Sequence, residues 1–152
     1  MTTVFVFPGQ GSQSLGMMKG WTNTPIVKAT FDEASTLLGQ DLWAMCAEDG
    51  QLDAINATVN TQPLMLVAGV ATYRAWLAAG GAKPFAMAGH SLGEYTALVA
   101  ADALSFADAV KLVRLRAEAM QSAVPEGVGA MAAILGMDDA ALQAVLVQQS
   151  QG

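Results

Sequence analysis

The sequence predicts an α/β fold built on a short parallel sheet, and three stretches carry that expectation. Val4-Phe5-Val6-Phe7 is an apolar, β-rich run stopped by Pro8-Gly9. Such a run reads as a core strand buried on both faces, as in a parallel sheet. Phe85-Ala86-Met87-Ala88, short, apolar and preceded by Pro84, reads as a second buried strand. Between them, residues 63–79 are apolar nearly all round (Leu64, Met65, Leu66, Val67, Val70), which places a helix in the centre of the fold.

The remaining elements follow in order. Ile26, Ala29, Ala34 and Leu37 recur at helical spacing, so a helix is expected over 26–38, stopped by Gly39. Residues 42–45 fit a short helical turn. Pro63 suits the first position of the central helix, and Gly80-Gly81 ends it. A helix is expected from Leu92 to Ala101, with Leu92, Tyr95, Leu98 and Val99 on one side. Ser105 can cap a helix running to about Ser122, with Asp108 placed well for the helix dipole. Pro125-Glu126-Gly127 breaks it. Residues 129–135 read as a strand, and Asp138 to Gln149 as a helix.

Composition bounds the class. The 152 residues are 53% hydrophobic and 13% charged, which predicts a folded globule. A net charge of -6 argues against nucleic-acid binding through a broad basic face. No apolar run reaches membrane-spanning length, and the start Met1-Thr2-Thr3-Val4 lacks a basic signal region, so a cytoplasmic protein without membrane association is expected. Cys46 stands alone, which removes any intrachain disulfide and any cysteine-based metal site. Nothing in the sequence requires a metal or redox cofactor.

The chemistry concentrates at Gly89-His90-Ser91-Leu92-Gly93. This is G-x-S-x-G, the signature of a serine on a sharp strand-to-helix turn. The turn lifts the Ser91 hydroxyl above the sheet and aims the Leu92 amide at whatever the serine attacks. Gly9-Gln10-Gly11-Ser12-Gln13, at the end of the first strand, can bring backbone N–H groups close to a ligand. Its spacing is not that of a dinucleotide loop. On the 105–122 helix, Ala109, Val113, Arg116 and Met120 fall in one row, so an otherwise apolar stripe carries an arginine. A buried guanidinium needs an anionic partner, either a protein carboxylate or a substrate carboxylate. Spacing alone leaves both open. Lys111 and Arg114 occupy the opposite, solvated side. His90 is the sole histidine, and neighbours at a sharp elbow point apart, so it is not the obvious base for Ser91.

Four motifs in order carry a family resemblance: Phe7-Pro8-Gly9-Gln10-Gly11-Ser12-Gln13, Thr61-Gln62-Pro63, Gly89-His90-Ser91-Leu92-Gly93-Glu94-Tyr95, and Arg114-Leu115-Arg116 with Met120-Gln121. Together they resemble the malonyl-CoA:acyl carrier protein transacylases of fatty-acid synthesis and the acyltransferase domains of polyketide synthases, from residue 3 to about residue 145. The resemblance implies an α/β-hydrolase-like three-layer core with a short parallel sheet, and the start of a small ferredoxin-like subdomain. On that division, residues 1–127 belong to the large part and 128–152 to the small one.

The resemblance also implies a ping-pong acyl transfer. Ser91 takes a malonyl group from malonyl-CoA, and the phosphopantetheine thiol of acyl carrier protein then removes it. The backbone amides of Gln10 and Leu92 would form the oxyanion hole, and Arg116 and His90 would contact substrate, with Arg116 on the malonyl carboxylate. No cofactor is implied. Lys111 and Arg114 are candidates for a local basic patch facing the carrier. Members of this family run to roughly twice this length, and the further half would bring the catalytic histidine. Two alternatives remain open from the sequence: a serine thioesterase or hydrolase, and an inactive fragment lacking its base.

Overall fold

The computed structural model describes residues 2–124, 128 and 134–150. The element order is β1 (Val4–Phe7), α1 (Pro25–Leu38), α2 (Leu42–Met45), α3 (Leu52–Asn56), α4 (Thr58–Ala78), β2 (Ala86–Gly89), α5 (Leu92–Ala100), α6 (Phe106–Ser122) and α7 (Asp139–Gln149). Helices dominate. The strands β1 and β2 pair in parallel, with Val4 opposite Ala86 and Phe7 opposite Gly89. The strand expected over 129–135 falls largely outside the described residues.

Helix α4 is the mast of the fold. It packs against α1, α5 and α6, and α5 also lies on both strands. Leu64, Leu66, Val67 and Ala71 are fully buried, and Val70 nearly so. A helix apolar around its circumference is stable only when surrounded, and here it is. Its start differs from expectation. Helix α4 begins at Thr58, so Pro63 lies inside it rather than at its first position. The proline removes one helical hydrogen bond, but this turn is tied from outside. The Thr61 hydroxyl donates to the carbonyls of Ile55 and Ala57, and Asn60 Nδ2 donates to Ala54 O at 3.0 Å. A single residue separates α4 from α3, a helix that sequence periodicity did not reveal; Ile55 is the one buried residue of α3.

The strands correct a second expectation. Neither is covered on both faces. Phe5 and Phe7 turn inward onto Tyr73 and α5, with Phe5 and Tyr73 edge to face at a centroid distance of 5.7 Å. Val6, pointing the other way, is 74% exposed, and Phe85 before β2 is 82% exposed. An apolar residue on each face of the run therefore does not mean burial on each face within this chain.

Several termini form as their residues predict. Gly39 takes the left-handed conformation at the end of α1, at φ 63°. Asp41 caps α2, Ser105 caps α6 through Asp108 N at 3.1 Å, and Asp138 caps α7. Helix α5 ends at Ala100, and its Leu98 is exposed rather than on the packed side. Helix α7 buries none of its residues. No helix among the described residues is long and apolar enough to cross a membrane.

Candidate active site

The Gly89–Gly93 stretch makes a sharp elbow between β2 and α5. Ser91 sits at φ 53°, ψ -109°, a conformation that non-glycine residues rarely adopt. Both flanking glycines are sterically required. A methyl group on Gly89 would stand 2.0 Å from the Gly93 carbonyl, and one on Gly93 would stand 2.1 Å from Phe7 O. The elbow closes through Gly93 N, which donates to His90 O at 2.8 Å. Ser91 is thereby held at the N-terminus of α5 with its side chain exposed, next to the first-turn amides of the helix.

The glycine loop after β1 lies against this elbow. His90 N donates to Phe7 O at 3.3 Å. A methyl group on Gly9 would come within 2.9 Å of His90 O and 3.6 Å of its Nδ1, so the loop passes directly over the His90 peptide. Gln10 is the next residue in the loop. His90 is exposed, and no hydrogen bond joins it to Ser91 among the described residues.

Arg116 reaches Ser91 from α6. Its Nη2 donates to Ser91 Oγ at 2.9 Å, and its Nη1 donates to Gln62 Oε1 on α4. The guanidinium also stands over the Tyr95 ring, 5.6 Å from the centroid. Here the structure departs from the sequence reading. The arginine row is buried only in its first half: Ala109 and Val113 are fully buried, Arg116 is half-buried and Met120 is 39% exposed. Among the described residues no carboxylate lies within ion-pair distance of Arg116. Among the described residues the guanidinium is oriented by neutral groups alone, Ser91, Gln62 and the Tyr95 ring.

Gln62, which the sequence reading placed within the Thr61-Gln62-Pro63 motif without giving it a role, is the residue that orients Arg116. It is fully buried. Its Nε2 donates to Met120 Sδ at 3.3 Å, which leaves Oε1 turned to Arg116. The available signal was a polar amide opening an apolar helix; a fully buried amide is there for a hydrogen bond. Arg114, expected in solvent, is half-buried and hydrogen-bonds to Gln40 Oε1, which leaves Lys111 as the exposed member of that pair. Cys46 is buried, and burial pushes its thiol up to about 11, so it is no nucleophile. No group of three or more His, Cys, Asp or Glu side chains could hold a metal ion among the described residues.

Comparison with known proteins decides the family. The model of the acyl transferase domain matches residues 4–148. The chain belongs to the acyl transferase domain family. A malonyl CoA-acyl carrier protein transacylase of Escherichia coli (strain K12) is 54% identical over 149 residues, which are 97% of this chain and 48% of that protein. A transacylase of the same name from Bacillus subtilis (strain 168) is 50% identical, covering 93% of this chain and 44% of the relative. Among solved structures, an acyl-carrier-protein S-malonyltransferase of Burkholderia pseudomallei 1710b superposes with a TM-score of 0.89 at 59% identity, over 97% of this chain and 48% of its own. A malonyl-transacylase in complex with its type II polyketide synthase acyl-carrier protein also gives 0.89, at 48% identity, over 97% of this chain and 48% of its own. The structural neighbours share the α/β acyltransferase fold. The chain spans about half the length of these relatives.

Proposed function

We propose that this chain carries the acyl-enzyme half of a malonyl-CoA:acyl carrier protein transacylase. Ser91 Oγ attacks the thioester carbonyl of malonyl-CoA. The Oγ–C bond forms as the C–S bond breaks, and coenzyme A leaves as the thiol. The phosphopantetheine thiol of acyl carrier protein then takes the malonyl group and returns the proton to Ser91. The names of the relatives, all malonyl transacylases, support this choice of donor and acceptor. Both are water-soluble, which supports a cytoplasmic site of reaction.

The observation that carries the reading is the guanidinium of Arg116, 2.9 Å from Ser91 Oγ and held by neutral partners. A hydrolase elbow alone has no use for a bare cation beside its nucleophile. A malonyl donor does: the free carboxylate takes the Nη2 arm from Ser91 Oγ, which frees the hydroxyl for attack while Gln62 keeps the other arm in place. An acetyl donor would leave the charge unpaired, a strong basis for selection. The amides of Gln10 and Leu92 serve as the oxyanion donors; the seat of the glycine loop on the elbow supports the first, and the start of α5 the second. His90 lines the same mouth and contacts substrate. The resemblance assigns the general base to a histidine in the further half of the family's length.

The core is read as α/β-hydrolase-like, ending near residue 127. Residues 128–152 are read as the opening of a ferredoxin-like subdomain. The exposure of α7, which buries none of its residues, supports that division. In the full-length counterpart, which brings the histidine base, radiolabelled malonyl-CoA should transfer its label to Ser91, located by mass spectrometry. Label that persists in Ser91→Ala would overturn the reading.

A further inference from the structure

The glycine loop is exposed, yet it is moored to one place. Gln10 Nε2 donates to Thr58 Oγ1 at 3.1 Å, and Gln13 Nε2 donates to Asn56 Oδ1 at 2.9 Å. The other end of the Gln13 amide works on the loop itself: Gly11 N donates to Gln13 Oε1 at 2.8 Å. Asn56 thus fixes Gln13, Gln13 fixes the peptide that follows Gln10, and Thr58 holds the Gln10 side chain, so the Gln10 N–H on the preceding peptide is held from two sides. Gly11 sits at φ 103°, so the peptide between Gln10 and Gly11 has a wide conformational range unless it is tied.

The mooring point is rigid. Asn56 ends α3 and Thr58 begins α4. The carbonyls of Ala54, Ile55 and Ala57 are all bonded by α4 side chains, and Ile55 is fully buried. Gln40 Nε2 adds a further tie to Asn60 Oδ1 at 3.1 Å. Groups that hold a reacting donor gain most when they are themselves held by packed structure.

We propose that Asn56 and Thr58 are positioning residues that aim the Gln10 amide over Ser91. The proposal rests on the reading of Gln10 N as an oxyanion donor. Neither residue touches substrate; each acts through the loop. Loss of one oxyanion donor costs roughly a hundred- to a thousandfold in rate, and a loosened donor costs less.

The test compares the full parent chain with the double variant Asn56→Ala/Thr58→Val. Exchange of the Gly11 amide is followed by NMR, and acylation of Ser91 is measured over a range of malonyl-CoA concentrations. In the double variant, Gly11 exchange should accelerate at least about tenfold while α4 amides keep their protection. The maximal acylation rate should fall about tenfold at an unchanged half-saturating concentration, the mark of an interaction realised only in the transition state. Asn56→Asp and Thr58→Ser, which keep both acceptors, should behave as the parent does. Unchanged Gly11 exchange overturns the mooring. Faster exchange with an unchanged acylation rate overturns the positioning role. Acylation is measured on the parent supplied with the histidine-bearing half that the family resemblance implies; if that parent takes no label at all, the nucleophile reading and this proposal both fall, and faster Gly11 exchange then marks a purely structural tether.

Discussion

Replacing Gln62 with glutamate changes one atom and should remove the anion site. Gln62 is fully buried, with Oε1 on Arg116 Nη1 and Nε2 on Met120 Sδ. In Gln62→Glu the first contact persists and becomes an ion pair. The second is lost, because a carboxylate oxygen cannot donate to the thioether. The guanidinium is then neutralised from within. A hydrogen bond between charged partners is worth about 1.5–3 kcal/mol, and each ~1.4 kcal/mol is a factor of ten in binding. Malonate should therefore bind the variant roughly 10- to 100-fold more weakly, while neutral acetamide, as a control, shows no such loss. Titration followed by NMR shifts of the Arg116 and Ser91 resonances reads both. Thermal stability should hold or rise, because a buried carboxylate facing an arginine is paired. Undiminished malonate affinity in a folded Gln62→Glu variant would refute the argument that neutral partners keep the arginine available.

The other expectations concern the frame of the site. Gly93→Ala places a methyl group 2.1 Å from Phe7 O; the elbow must open, and denaturant unfolding should show a loss of roughly 3 kcal/mol or more. Ser105→Ala removes the cap of α6, the helix that carries Arg116, and should cost about 1 kcal/mol in the same assay. The Cys46 thiol, raised by burial from its usual 9.0 to about 11, stays protonated in the fold at pH values where the unfolded chain has lost its proton. Stability should thus be unaffected by this group below pH 9 and decline between about pH 9 and 11, and iodoacetamide at pH 8 should modify Cys46 only after urea unfolds the chain.

What the sequence made legible is what short-range geometry dictates. The elbow is read from five residues because a side chain at Gly89 would meet the Gly93 carbonyl only four residues on; the contact of Gly93 with Phe7 O, at the end of β1, is long-range and could not be read that way. Arg116 could be singled out because i, i+4 and i+3 spacing fixes its side of α6. Its environment could not be read that way. Which atoms face it depends on α4 and α5, and Gln62 stands 54 residues away in the chain. The start of α4 was misplaced for a related reason. The apolar pattern begins at Pro63, but the first turn is held by polar side chains of Asn60 and Thr61 reaching back to α3, a form of support that leaves no hydrophobic period. The open faces of β1 and β2 are the converse case: an all-apolar run records what a strand can bury against, not what this chain places there.

The geometry of the site follows from how little of it is mobile. Arg116, the residue with the longest reach, is clamped at three points by groups rooted in three helices: Gln62 on α4, Tyr95 on α5, and its own backbone on α6. Those helices meet around the fully buried stretch of α4. Ser91 is fixed by the steric closure of its elbow, and the glycine loop by the α3–α4 corner. Each group that would meet a malonyl thioester is therefore set by folding rather than by binding. A charge in such a frame need not be reorganised when an anion arrives, and its attraction is not spent on ordering side chains. That is why an arginine with only neutral neighbours among the described residues is tolerable here: half-exposed, it keeps part of its hydration.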